Sequence, residues 1–233
     1  MAARILSEMT PTLPDRQLLL KLRPEGTPTL DNFVVGANDE LIERLRGFGK
    51  SDQVYLWGEA GSGRSHLLAA MAARNIDRRV ISTQAADIHA DIDIASGTLL
   101  VVDNIDRLSP SGQGVMFRAF IAAREVAAAV LLSGPVPPMQ LALREDLRTR
   151  IGQMLIYEIK GLSDVEKLAA INHYAQQRGL PMDDAVVRYL LQHGRRDLPS
   201  LLALVDRLDE RSLSLQRPPT LPLLRELLLT ESK

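Results

Sequence analysis

The chain has 233 residues, 45 % apolar and 24 % charged, with a formal net charge of −1. That composition suits a soluble globular protein of one domain, or one domain with a small appendage. It excludes a chain drawn to nucleic acid or membrane by its overall charge. With no cysteine, disulfides and thiolate metal sites are excluded. No apolar run approaches the ~20 residues of a membrane span, and residues 1–8 hold no signal-peptide core. The expected compartment is the cytoplasm, with no membrane partner.

In chain order, the first clear element is Gln53–Trp57, a short β-favouring run ending at Gly58. Residues 58–65 then read Gly-Glu-Ala-Gly-Ser-Gly-Arg-Ser, and Leu67, Leu68, Met71 and Ala72 recur at helical spacing behind them. Strand, glycine-rich loop and helix in that order make a phosphate cradle. Glycines at 58, 61 and 63 let backbone N–H groups turn inward, and a helix starting near Arg64 adds the positive end of its dipole. Gly58, Gly61, Ser62, Gly63, Arg64, Ser65 and His66 are therefore candidate nucleotide contacts. Ser65 stands where a hydroxyl ligates Mg2+. Arg64 replaces the usual lysine, keeping the charge on a broad planar fork.

Arg79–Thr83 reads as a second strand. Thr98-Leu-Leu-Val-Val-Asp103 is a third, a continuous apolar run whose acid emerges at the carboxyl edge of a buried parallel sheet. Asp103 could hold Mg2+ through water. Taken singly, the loop could be a ligand-free turn and Asp103 a helix cap; their sequential placement favours the nucleotide site. The next position, where many such enzymes carry a second carboxylate, is Asn104, which accepts no proton near neutral pH.

Residues 113–125 predict a helix with Val115, Phe117, Phe120 and Ile121 on its buried face. Residues 128–133 predict a fourth strand, stopped by Gly134-Pro135, and residues 155–159 a fifth. Alternation of strands and helices implies a five-stranded parallel sheet flanked by helices. From Ser163 onward the pattern is helical only: 163–178 opened by a capping box, 183–193, 197–212 with Pro199 at its start, and 220–229. Expected boundaries are an N-terminal segment 1–28, an α/β core 29–160 and a small helical domain 161–233. Four scattered histidines offer no metal-ligand spacing.

Together these parts resemble the AAA+ class of P-loop proteins. Within it they are similar to the nucleotide-binding domain of the replication initiator DnaA, and closer still to the Hda family of stand-alone DnaA inactivators. The resemblance covers roughly residues 15–230. It implies that Thr29–Asn38, with Phe33, Val34 and Val35, wraps the adenine, and that the helical domain is a lid. It makes Arg150, in Asp146-Leu-Arg-Thr-Arg-Ile151, an arginine finger acting in trans on a partner's nucleotide. The bare pattern, with arginines also at 144 and 148, suits a solvated helix end equally well. It makes Arg196 the lid arginine that touches phosphate, with Arg195 the alternative one residue away. It also makes Gln17-Leu-Leu-Leu-Lys-Leu22 a docking peptide for the DNA polymerase sliding clamp. There Gln17 would bond the pocket rim, and Leu18, Leu20 and Leu22 would fill the cleft. Taken alone, that segment suits an edge strand packed on the chain's own core.

The chain departs from the resemblance at Arg64, at Asn104 and after Ser133, where the acidic sensor slot is assigned to Pro135. The initiator's DNA-reading and N-terminal partner domains have no counterpart in these residues. The reading that follows is a regulator rather than an enzyme. It would bind ADP or another nucleoside diphosphate with Mg2+, dock on the clamp, and promote hydrolysis of ATP on DnaA through Arg150. Contact with DNA is expected to be indirect or weak, and the sequence leaves homo-oligomerisation open. The alternative is an ATP-hydrolysing loader or remodeller in DNA replication that uses its own site with a neighbour's Arg150.

Overall fold

A computed structural model describes residues 27–195 and 197–231. Five parallel strands form one sheet: β1 (Gln53–Trp57), β2 (Val80–Gln84), β3 (Leu99–Asp103), β4 (Ala129–Gly134) and β5 (Leu155–Glu158), in the spatial order β2-β3-β4-β1-β5. Every residue of β3 and β4 is buried, as apolar runs without alternation require when helices cover both faces. The edge strands β2 and β5 are more exposed and more polar.

Among the described residues eight α-helices accompany the sheet: α1 (Asp39–Arg46), α2 (Arg64–Arg74), α3 (Pro110–Glu125), α4 (Glu145–Gly152), α5 (Asp164–Gln177), α6 (Asp184–His193), α7 (Leu198–Leu215) and α8 (Leu221–Glu231). Residues from α1 and α2 pack with Val54, Leu56, Val101 and Leu131 on one face of the sheet. Residues from α3 and α4 pack with Tyr55, Leu100, Val102 and Leu132 on the other. The alternating sides of β1 to β4 thus serve two separate cores. A third core, built around Ile171, Val187, Leu190, Leu204, Val205 and Leu224, belongs to α5–α8 alone.

Local signals explain most boundaries. α3 begins at Pro110 rather than near residue 113, because Ser109 accepts from the Gly112 N–H at 3.0 Å and Pro110 occupies the first turn. Ser163 and Glu166 form the expected reciprocal cap of α5. Asp197 caps α7 by accepting from the Ser200 N–H at 2.9 Å. α7 runs on to Leu215, past its expected end at residue 212, and stops where Gln216 takes a left-handed conformation at φ 52°. Among the described residues no helix is long and apolar enough to cross a membrane.

The segment before α1 and the junction after β5 are fastened by one side chain. Asn38 is buried. Its amide donates to the carbonyls of Val35 at 2.8 Å and Lys160 at 3.0 Å, and its oxygen accepts from the Lys160 N–H at 2.8 Å. Beside it Gly36 sits at φ +53°, where an added Cβ would strike Leu162 at 2.7 Å. Residues 35–38 and 160–166 are therefore locked together at the passage from sheet to helical domain.

Candidate functional site

The site lies at the carboxyl edge of the sheet, where β1 runs into the glycine loop and β3 ends at Asp103. β4 lies between them, so its terminal residues Ser133 and Gly134 face both. Gly61 and Gly63 adopt φ +81° and +99°, backbone that disfavours any side chain. Gly58 packs against the Ile159 carbonyl so closely that a Cβ would sit 2.7 Å from it. Gly63 caps α2, whose N-terminus begins at Arg64 and opens into the loop. Two polar atoms here, Ser62 Oγ and Arg64 Nη1, are buried without a hydrogen-bond partner. Such orphans are costly, and a phosphate group would satisfy both. The loop therefore fits the di- or triphosphate of a nucleotide.

Asp103 is 5 % exposed and receives four hydrogen bonds. Ser65 Oγ donates to Oδ2 at 2.6 Å and Gln84 Nε2 to the same oxygen at 3.3 Å. Ser133 Oγ and the Asn104 N–H, the latter at 3.0 Å, donate to Oδ1. Burial alone would raise this carboxyl, but hydrogen bonds led by those of Ser133 and Ser65 outweigh it and hold it below its ordinary value. It is an anion at neutral pH. Ser65 and Asp103 form a hydroxyl and carboxylate pair at 2.6 Å, oxygen donors of the kind that would suit Mg2+ beside a bound phosphate. Among the described residues no three His, Cys, Asp or Glu side chains cluster as a metal site. An ion here would draw its remaining oxygens from phosphate and water, as Mg2+ commonly does.

Asn104 follows in a left-handed conformation at φ 54°. Its side-chain amide donates to Gln84 Oε1 at 3.1 Å. The position that would need a general base thus carries an amide engaged with β2. The residue directly after Ser133 is Gly134, the last of β4 and the partner of Trp57; Pro135 lies one step beyond the strand. The Tyr55 hydroxyl fills the space that a side chain on Gly134 would need, and donates to the Val136 carbonyl at 2.6 Å. Burial, then the nearby Asp106 charge, push the Tyr55 hydroxyl well above its usual range, so it remains a neutral donor. Neither residue supplies a carboxylate.

The remaining residues singled out by the sequence fall as follows. Phe33 lies over the loop, where a Cβ on Gly63 would meet its ring at 2.5 Å, and its ring is 5.6 Å from that of His66. His66 Nε2 is 2.9 Å from the Thr29 carbonyl, pinning the 29–33 segment to α2. Val34 and Val35 are half-buried beside it. The helical domain reaches the loop through Asp197, whose Cβ abuts Gly61. Arg195 is 85 % exposed and pairs with Asp197 at 3.5 Å. Arg150 packs on α3, its guanidinium 4.6 Å from the centre of the Phe117 ring, with Arg144 at 6.0 Å from the same ring. Arg196 and the peptide with Gln17, Leu18, Leu20 and Leu22 lie outside the described residues. Sequence reasoning missed the roles of Gln84, Ser133 and Asn38; of these, only Ser133, a hydroxyl ending an apolar strand, left a visible signal.

Comparisons with known proteins agree with this geometry. The fold matches domain III of the Thermotoga maritima replication initiation protein DnaA (TM-score 0.70, 16 % identity, 95 % of this chain and 98 % of that one). It also matches AMPPCP-bound DnaA from Aquifex aeolicus (TM-score 0.65, 21 % identity, 78 % of this chain and 65 % of that one). A third match is a replication initiator DnaA bound to AMPPCP and single-stranded DNA (TM-score 0.62, 22 % identity, 77 % and 64 %). The chain spans less than two-thirds of the length of the latter two. The fold is therefore that of DnaA domain III, an α/β core followed by a C-terminal helical domain. Residues 164–228 match the Hda lid domain. Through that segment the chain is similar to Hda, and through its fold to DnaA.

Proposed function

We propose that this protein is a regulator of chromosome replication initiation that holds a nucleoside diphosphate and acts on DnaA. The observation that carries the reading is the contrast within one site. An intact cradle with orphaned Ser62 Oγ and Arg64 Nη1 adjoins a catalytic position filled by Asn104, whose amide is turned into Gln84. Groups that can bind phosphate stand beside position 104, where an amide replaces a base that could activate water. ADP is the expected occupant, its phosphates under the glycine loop and its base beside the Phe33–Val35 segment. Ser65 and Asp103 would hold Mg2+, which would neutralise phosphate charge.

The output is then contact with other proteins. Arg150 has no carboxylate partner among the described residues and rests on an aromatic ring, a cation available to a neighbour. Inserted into the ATP site of DnaA, it would stabilise charge on the transferring phosphoryl group, as fingers supplied in trans do. Gln17–Leu22 would anchor the protein to the sliding clamp. In this scheme the protein's own ATPase activity is absent. The test is to denature the purified protein and identify what it releases. Stoichiometric ADP, or another diphosphate, supports the reading; an empty protein that ignores added nucleotide overturns it.

A further inference from the structure

The phosphate loop carries one acid of its own, Glu59, between Gly58 and Gly61. Its carbonyl accepts from the Ser62 N–H at 3.2 Å and closes a four-residue turn. The Cα atoms at the two ends of such a turn lie within about 7 Å of each other. Glu59 is thereby tied to Ser62, whose Oγ is buried without a partner and lies 2.8 Å from where a Cβ on Gly58 would stand. The Glu59 side chain is exposed and has no hydrogen-bond or ion-pair partner among the described residues. The other two carboxylates that come against the loop are already engaged. Asp103 accepts from Ser65, Gln84, Ser133 and Asn104. Asp197, which abuts Gly61 from the helical domain, accepts from the Ser200 N–H and pairs with Arg195.

We propose that Glu59 determines which polyphosphate the loop accepts, disfavouring a triphosphate by charge and tolerating a diphosphate. The inference rests on the reading of this loop as a nucleotide site, and it names the residue that makes the site selective. A third phosphate brings more negative charge to a loop that already holds an unpaired carboxylate. Like charges about 8 Å apart near a protein surface repel strongly enough to change a binding constant several-fold. For the phosphates that the loop does bond, the orphaned Ser62 Oγ and Arg64 Nη1 offset that repulsion. Two other groups near the ends of β3 and β4 are not offered to a further phosphate. The Tyr55 hydroxyl donates to the Val136 carbonyl at 2.6 Å, and the Asn104 amide donates to Gln84 at 3.1 Å. A competing role for a carboxylate on this loop is that of the base which position 104 lacks.

The experiment titrates the full chain, by calorimetry in Mg2+, with ADP and with the non-hydrolysable triphosphate AMPPCP. The parent should bind ADP more tightly. Glu59→Gln should narrow the gap between the two affinities by about fivefold or more, chiefly by tightening AMPPCP, and Glu59→Lys should narrow it further. Raising the salt concentration should narrow the gap in the parent and leave it nearly constant in Glu59→Gln, because the repulsion is between charges in contact with water. Glu125→Gln, an exposed change at the end of α3, should match the parent. Melting without nucleotide should be alike in all four proteins, since the turn is held by the main chain of Glu59 and not by its carboxylate. Equal affinities in the parent, or a gap unmoved in both Glu59 variants, would overturn the proposal and leave the nucleotide site standing. A parent that binds neither nucleotide would overturn both. Phosphate release from ATP by the parent that is lost in Glu59→Gln would make Glu59 a base, and so would also overturn the proposal.

Discussion

Gly61 of the phosphate loop and Asp197 at the start of α7 meet so closely that no side chain fits between them. Gly61 is also at φ +81°, so the position is barred to other residues twice, by backbone and by contact. Gly61→Ala should cost about 1–3 kcal/mol of stability and push the lid away from the loop. Nucleotide affinity should fall with it. Thermal melting with and without ADP checks both, and a variant that melts and binds like the parent would show that lid and loop do not bear on each other.

The carboxylate of Asp103 gives a pH-dependent prediction. Its folded value lies below the ordinary one, so it contributes stability that is full above about pH 4 and is lost as pH falls through the folded value. Ser133 is the foremost of the hydrogen-bond donors that lower it. Ser133→Ala should therefore destabilise the protein by about 1–3 kcal/mol at neutral pH. The difference should shrink at pH values where Asp103 is protonated in both folded and unfolded chains. Urea midpoints across the acid range test the sign; a constant difference would mean that the hydroxyl acts through packing alone.

These two predictions mark what the sequence showed and what it concealed. The strand–loop–helix around residues 53–74 and the acid-ended strand β3 were legible because each needs a local pattern: glycines for left-handed turns, and an apolar run for a strand buried on both faces. Helices α5–α7 were legible from their caps, Ser163 and Asp197 among them. The contacts between distant segments were not. Gln84 meets Asn104 and Asp103 because β2 and β3 are neighbours, and no local rule pairs residues 84 and 104. Asn38 and Lys160 are separated by 122 positions, and only the folded chain brings them together.

Asn38 makes three hydrogen bonds with the main chain, two of them to the residue where the core passes into the lid. Replacing it with Ala should remove all three bonds from a buried position, at a cost of about 1–3 kcal/mol. Hydrogen exchange should quicken around residues 35–38 and 160–166 before it quickens in β3 and β4. Uniform acceleration across the sheet would instead place Asn38 in the global core.

The proposed clamp-docking role of Gln17–Leu22 can be tested apart from the site. Replacing Gln17 and Leu18 with Ala should abolish pull-down by the sliding clamp while leaving the ADP-dependent melting shift intact. Retained pull-down would remove that assignment without touching the nucleotide reading.

The most direct measurement follows the conversion of ATP to ADP on DnaA in the presence of DNA-loaded clamps, with this protein added or omitted. The account predicts no phosphate release by this protein alone and rapid conversion on DnaA when it is added. It also predicts loss of that stimulation in Arg150→Ala, with folding and clamp pull-down unchanged. Steady ATP turnover by the protein in the absence of DnaA, or full stimulation by Arg150→Ala, would contradict it.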